Sequence, residues 1–137
     1  MGTKIVVAGP RRFRNGSVVW DSLDKLREQF PDMVLLHGDC PTGVDRFAKM
    51  WAASRNVAQM IYPADWDAHG KAAGPIRNST MAREADKAYV FWYAPEPSQH
   101  PGTCSLVREM ERLKKPVTKS LFFAWESYAE TFQRGRT

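Results

Sequence analysis

The sequence has little cysteine and no long hydrophobic run. Cys40 and Cys104 are the only cysteines among 137 residues, which is too few for a disulfide framework. No apolar stretch approaches the ~20 residues that cross a membrane. The first residues also lack the basic, apolar and small-residue order of a secretory signal. We therefore expect a cytoplasmic protein that has no membrane partner.

The overall composition is that of an ordinary globular protein, with 43% hydrophobic and 26% charged residues. A chain of 137 residues can bury one hydrophobic core, so we predict a single domain over residues 1–137. The net charge of +5 favours an anionic partner. Charge alone does not distinguish a small phosphorylated ligand from a nucleic acid.

Short apolar runs alternate with amphipathic segments along the chain. Strands are predicted at residues 4–8, 33–36, 59–62, 87–93 and 116–118. Helices are predicted at residues 18–30, 44–54, 75–85, 102–113 and 124–132, with long loops at 63–74 and 94–101. This alternation predicts a Rossmann-like three-layer α/β/α fold with a mainly parallel five-stranded sheet. Ligands of such folds bind beyond the carboxyl ends of the strands.

The first predicted strand is followed by the loop GPRRFRNG at residues 9–16. Backbone N–H groups, a helix N-terminus and three guanidinium groups can converge there on a phosphate. The loop has neither the Walker pattern nor the G-x-G-x-x-G dinucleotide pattern. A solvated basic turn is therefore the alternative interpretation of the loop.

The loop GDCPTG at residues 38–43 repeats this arrangement after the second strand, and Asp45 follows it at the start of a helix. An aspartate there either caps backbone N–H groups or accepts hydrogen bonds from a ribose hydroxyl. The residues alone favour capping.

Two later helix starts face the same edge of the predicted sheet. Arg77 and Asn78 begin one of them, where the guanidinium can bind a phosphate and the amide can bind a base or hydroxyl. An ordinary capped surface helix explains them equally well. Gly102 and Thr103 begin the next helix and offer backbone donors and a hydroxyl.

The three histidines, His37, His69 and His100, do not have the spacing of a metal site, so we predict no bound metal. Neither cysteine has a neighbouring histidine in the sequence that would activate it. We treat both cysteines as incidental.

The loop motifs occur in a fixed order that extends over nearly the whole chain. They are VAGPR at 7–11, HGD at 37–39, TGVD at 42–45 with Ala48, Arg77-Asn78 with Met81, and Gly102-Thr103. This ordered set resembles the YspA/cpYpsA-related family of the SLOG superfamily, which also contains the LOG phosphoribohydrolases and the DNA-processing protein DprA. The resemblance implies a Rossmann-type domain that binds or senses a nucleotide derivative.

The chain departs from the family pattern at both glycine loops. The family usually begins with Gly-Ser-Arg, whereas Pro10 here removes a backbone donor and a hydroxyl. The second loop tends to read Gly-Gly-Ala, whereas Asp39 here brings a carboxylate toward the expected phosphate.

The hydrolase motif is also incomplete. LOG hydrolases carry a glutamate at the position of Leu106, and the nearest carboxylate, Glu109, is three residues later. We therefore predict binding without efficient hydrolysis, and Glu109 is a weak catalytic candidate.

The leading prediction is a protein that binds a nucleotide or an ADP-ribose-like ligand and needs no cofactor. Arg11 and the loop amides would bind phosphate, Asp45 would bind ribose, and Arg77 with Asn78 would complete the pocket. The predicted ligand-binding residues are Gly9, Arg11, Gly38, Asp39, Gly43, Asp45, Arg77, Asn78, Gly102 and Thr103.

Two alternative functions use the same residues in other ways. A single-strand nucleic-acid binder of the DprA type would use the arginines of the first loop, with Phe13 and Trp66 stacking on bases. A glycosidic-bond-cleaving hydrolase or transferase would use Asp45 or Glu109. Aromatic residues at 122–125 and Tyr128 form either a homo-oligomer surface or part of the core.

Overall fold

Apolar runs in the strands form the centre of a parallel sheet. The computed structural model describes residues 2–93 and 101–122. Its strands are β1 (Lys4–Ala8), β2 (Val34–His37), β3 (Gln59–Ile61), β4 (Lys87–Tyr93) and β5 (Val117–Phe122). They form one sheet in the order β3-β2-β1-β4-β5, and every neighbouring pair is parallel. The predicted fold class is confirmed.

Helices cover both faces of this sheet, because the apolar residues of each strand alternate between the two faces. The helices are α1 (Gly16–Gln29), α2 (Gly43–Arg55), α3 (Trp66–His69), α4 (Ala73–Glu84) and α5 (Pro101–Arg112). Leu23 of α1 and Trp51 of α2 pack with Ile5 on one face. Met81 of α4 and Leu106 of α5 pack on the other. The result is the predicted three layers.

The connection between β3 and β4 differs from the predicted loop at 63–74. It contains α3 and a 3-10 turn at Gly70–Ala72. The carboxylate of Asp65 caps α3 by accepting a hydrogen bond from the Ala68 N–H at 3.1 Å. Helix α4 begins at Ala73 rather than at Pro75. Proline is tolerated at the third helical position because N–H groups in the first turn have no intrahelical acceptor.

The carboxyl-terminal part of the chain differs from the prediction in the length of its last strand. Strand β5 has six residues and pairs with β4 along its whole length, from the Ala88–Val117 pair onward. The predicted loop residues 94–100, the helix at 124–132 and most of the aromatic cluster at 122–128 lie outside the described residues. Within residues 2–93 and 101–122, no helix is long and apolar enough to cross a membrane.

The strand order places a topological switch beside β1. The connection through α1 leads from β1 to β2 on one side, whereas the connection through α4 returns to β4 on the other. Loops diverge at the carboxyl ends of the strands on either side of such a point and leave a crevice between them.

Candidate functional site

A cavity of about 870 Å³ occupies this crevice, near the upper end of the ~300–1,000 Å³ range of small-molecule sites. Its walls come from the end of β1, the loops after β1, β2 and β3, and the starts of α4 and α5. Every predicted ligand-binding residue except Gly43 lines it. Those residues are Gly9, Arg11, Gly38, Asp39, Asp45, Arg77, Asn78, Gly102 and Thr103.

Gly43 lies behind the first loop rather than in the cavity wall. Its φ of +72° belongs to the region that favours glycine. A Cβ at this position would overlap the carbonyl oxygen of Pro10 and lie 2.6 Å from that of Arg11. Gly43 therefore allows the start of α2 to pack directly against the backbone of the first loop.

The second loop uses its own backbone donors. The Asp39 N–H donates to Nδ1 of His37 at 3.0 Å, and the Cys40 N–H donates to Oδ2 of Asp45 at 3.2 Å. Because Nδ1 of His37 accepts, the ring proton is on Nε2, which lies 3.0 Å from Oε1 of Gln59. These two amides hold the loop in shape and are not directed at a ligand.

The carboxylate of Asp39 has a cationic partner. Its Oδ1 accepts from Nζ of Lys49 at 3.0 Å. The residue itself has a φ of +57°, which aspartate tolerates better than most residues. Lys49 therefore offsets part of the negative charge that the sequence brings to this edge of the cavity.

Asp45 is the third residue of α2, and its carboxylate binds the preceding loop through Cys40 rather than the N–H groups of its own helix. Burial raises the pKa of the Asp45 carboxyl, while the Cys40 N–H and the nearby charge of Arg77 act in the opposite direction. The Asp45 carboxylate therefore holds the preceding loop through the Cys40 N–H instead of capping α2.

A raised folded-state pKa gives Asp45 a defined effect on stability. Between the ordinary aspartate pKa and the raised one, the folded protein holds a proton that the unfolded chain releases. The free energy of unfolding should therefore fall as pH rises through this interval. Asp45→Asn should remove that contribution. Urea unfolding of the wild-type protein and of Asp45→Asn from about pH 4 to about pH 8 measures this contribution. If the wild type gains stability relative to the variant as pH rises, the pKa of Asp45 is not raised in the folded protein.

Arg77 joins three parts of the cavity wall. Its Nη1 donates to the carbonyl oxygens of Gly38 at 2.7 Å and Tyr62 at 3.3 Å, and its Nε donates to Oδ1 of Asn78 at 2.9 Å. Burial lowers the pKa of the Arg77 guanidinium, while the nearby Asp45 charge opposes this shift. The guanidinium positions the ends of β2 and β3 before any ligand binds.

Asn78 extends the same network to α5. The side chain is buried, and its Nδ2 donates to the carbonyl oxygen of Gly102 at 3.0 Å. Both ends of the amide are therefore engaged, one by Arg77 and one by Gly102. Arg77 and Asn78 line the cavity, but their observed hydrogen bonds are those of positioning residues.

Other polar groups in the cavity wall have no partner within the described ranges. Arg11 and Arg12 are exposed and make no hydrogen bond or salt bridge to any described residue. Thr103 is 5% exposed, and its hydroxyl likewise has no described partner. Thr103 lies in the first turn of α5, where backbone N–H groups have no intrahelical acceptor.

The two aromatic residues predicted to stack on bases have different environments. Phe13 is 2% exposed and packs against Phe91, with ring centroids 5.6 Å apart. Its prediction as an exposed stacking residue was wrong, because β4 supplies an aromatic partner that the loop sequence does not reveal. Trp66 is 49% exposed and lines the cavity.

Comparison with known proteins identifies the family of this chain. The family described as "YspA, cpYpsA-related SLOG family" matches residues 3–69. The "Gene 61 protein" of Mycobacterium phage D29 is 32% identical over 121 residues, which cover 83% of this chain and 93% of the phage protein. The chain belongs to the YspA/cpYpsA-related SLOG family. Membership of this SLOG family indicates a nucleotide-related function. No solved structure gives a significant match.

This SLOG protein has an apolar side chain at the position of the LOG glutamate. Leu106 is 1% exposed and lines the cavity. Glu109 lies outside the lining, and its carboxylate accepts from Nε and Nη2 of Arg112 at 3.0 and 3.3 Å. The hydrogen bond from Arg112 lowers the pKa of Glu109. The cavity wall therefore presents a hydrocarbon surface at Leu106.

Pro10 has a structural role in the SLOG first loop. It is buried, and its carbonyl oxygen accepts from the N–H groups of Phe13 at 3.2 Å and Val44 at 3.5 Å. The loop is thus closed into a turn that presents Arg11 and Arg12 to the cavity. Arg12 was not among the predicted ligand-binding residues, although its position beside Arg11 was a signal for it.

Within the described residues, no group of three or more potential metal ligands occurs.

Proposed function

We propose that this protein binds a nucleotide or nucleotide derivative, such as an ADP-ribose-like molecule, in the cavity beside β1. The observation that carries the proposal is the pair of arginines, Arg11 and Arg12, which line the cavity without an anionic partner in the described chain. A phosphate supplies that partner, because guanidinium groups bind phosphate oxygens through charge-assisted hydrogen bonds.

The remaining contacts come from other groups that line the cavity. The hydroxyl of Thr103 and the N–H groups of Gly102 and Thr103 add donors for a phosphate oxygen at the start of α5. Asp45 lines the same cavity and can accept from a ribose hydroxyl while keeping its bond to Cys40. Arg77 supports these contacts by holding the Gly38 loop in place.

Calorimetry against AMP, ADP-ribose, NAD and a cyclic nucleotide tests the proposal. Arg11→Ala should weaken the tightest of these complexes about 10-fold or more, because it removes a charged hydrogen bond to phosphate. Arg108→Ala is the matched control, since Arg108 is an exposed arginine outside the cavity, and it should leave the affinity unchanged. The wild-type protein should bind at least one member of this panel.

Three outcomes would contradict the proposal. One is the absence of binding to every nucleotide in the panel, and another is equal affinity in Arg11→Ala and Arg108→Ala. The third is release of free adenine from AMP that is lost in Glu109→Ala, which would make the protein a hydrolase rather than a binder.

A further inference from the structure

Trp66 is a large aromatic side chain that the fold leaves half exposed at the cavity wall. It begins α3, whose N-terminus Asp65 caps by accepting a hydrogen bond from the Ala68 N–H. The indole also lies close to α4, because a Cβ added at Gly74 would be 3.5 Å from its Cη2 atom. The ring therefore lies beside the start of α4 while part of its surface remains open.

Trp66 and the free arginines line the cavity from segments that follow different strands. Arg11 and Arg12 follow β1, whereas Trp66 follows β3, and β2 separates these strands. Two strand spacings correspond to about 10 Å. A nucleotide likewise has its phosphate and its planar base on opposite sides of the ribose, so a phosphate at the arginines directs the base toward the indole.

We propose that Trp66 stacks on the nucleobase and makes the site select nucleotides over base-free sugar phosphates. This inference rests on the proposed function and adds a specificity-determining residue to it. Stacking of a base on an aromatic side chain contributes ~1–3 kcal/mol, which corresponds to roughly 5- to 150-fold in affinity. The effect depends on the ring face and does not require a particular base, because every base has a planar π surface.

The test compares AMP with ribose 5-phosphate, which has the same sugar phosphate and no base. Trp66→Ala should weaken AMP binding by roughly 5- to 150-fold and leave the affinity for ribose 5-phosphate unchanged. Trp66→Phe should recover most of the AMP affinity because it restores an aromatic face. Ile76→Ala is the matched control, since Ile76 is an exposed apolar residue of α4 outside the cavity.

The outcomes separate this inference from the proposed function. If the wild-type protein binds neither AMP nor any other nucleotide of the panel, both the proposed function and the stacking proposal are contradicted. A wild-type protein that binds AMP and ribose 5-phosphate equally, or a Trp66→Ala variant with wild-type affinity for AMP, overturns the stacking proposal alone.

Discussion

Replacing Gly43 with alanine should lower the free energy of unfolding by about 2–4 kcal/mol. One part of this cost is conformational, because the residue has a φ of +72° and an L side chain there costs ~1–2 kcal/mol. The other part is steric, since the new Cβ overlaps the carbonyl oxygen of Pro10. Backbone carbonyls cannot rotate away as a flexible side chain can, so the first loop must move. Chemical denaturation followed by circular dichroism measures the loss.

Gly70→Ala is the matched control for Gly43→Ala. Gly70 also has a positive φ, of +54°, but nothing lies within 4 Å of a Cβ built there. The control should therefore show a conformational cost without a steric one, about 1–3 kcal/mol, because its ψ of −134° lies outside the left-handed helical region. A Gly43→Ala protein as stable as the wild type would mean that contact between α2 and the first loop is not tight.

Replacing Arg77 with methionine should destabilise the protein by about 3–5 kcal/mol. The substitution removes charged hydrogen bonds to Gly38, Tyr62 and Asn78, each worth ~1.5–3 kcal/mol in favourable cases. It also removes one of the nearby charges that favour the ionised form of the Asp45 carboxyl. Because the bonds depend on the forked guanidinium, Arg77→Lys should recover only part of the loss. Urea denaturation measures both variants.

Arg83→Met is the control for this effect, since Arg83 lies on the same helix but is exposed, and its guanidinium donates to the hydroxyls of Ser79 and Thr80 among the described residues. It should change stability by no more than about 0.5 kcal/mol. An Arg77→Met protein that unfolds like the wild type but has lost nucleotide affinity would identify Arg77 as a direct ligand contact instead of a positioning residue.

The central elements of the fold are predictable because their signals are local. Strands β1 and β4 occupy the predicted residues, since each is a continuous apolar run bounded by polar or breaking residues. Helix α3 was missed because four residues are too few to show helical periodicity. The extent of β5 was missed because it is an edge strand whose middle residues include Lys119 and Ser120.

The sequence predicts which residues line the candidate site but not which hydrogen bonds and packing contacts they make. Parallel strands end at one edge, so the order of the loops already indicates which residues gather there. Some partners come from distant segments, as Gly38 does for Arg77 and Phe91 for Phe13. Others are local but depend on the shape of the folded loop, as in the hydrogen bonds from the amides of Asp39 and Cys40 to His37 and Asp45. None of these contacts has a signal in the loop sequences.

Amide proton–nitrogen correlation spectra recorded during titration with AMP and with ADP-ribose test the central claim most directly. The account predicts that at least one ligand shifts amide resonances in the cavity wall, with the largest changes at Arg11, Arg12 and Thr103. Amides at the opposite edge of the sheet, such as those of Asp32 and Asp86, should not shift. Spectra unchanged by either ligand, or shifts confined to surfaces away from the cavity, would contradict the assignment of this cavity as a nucleotide site.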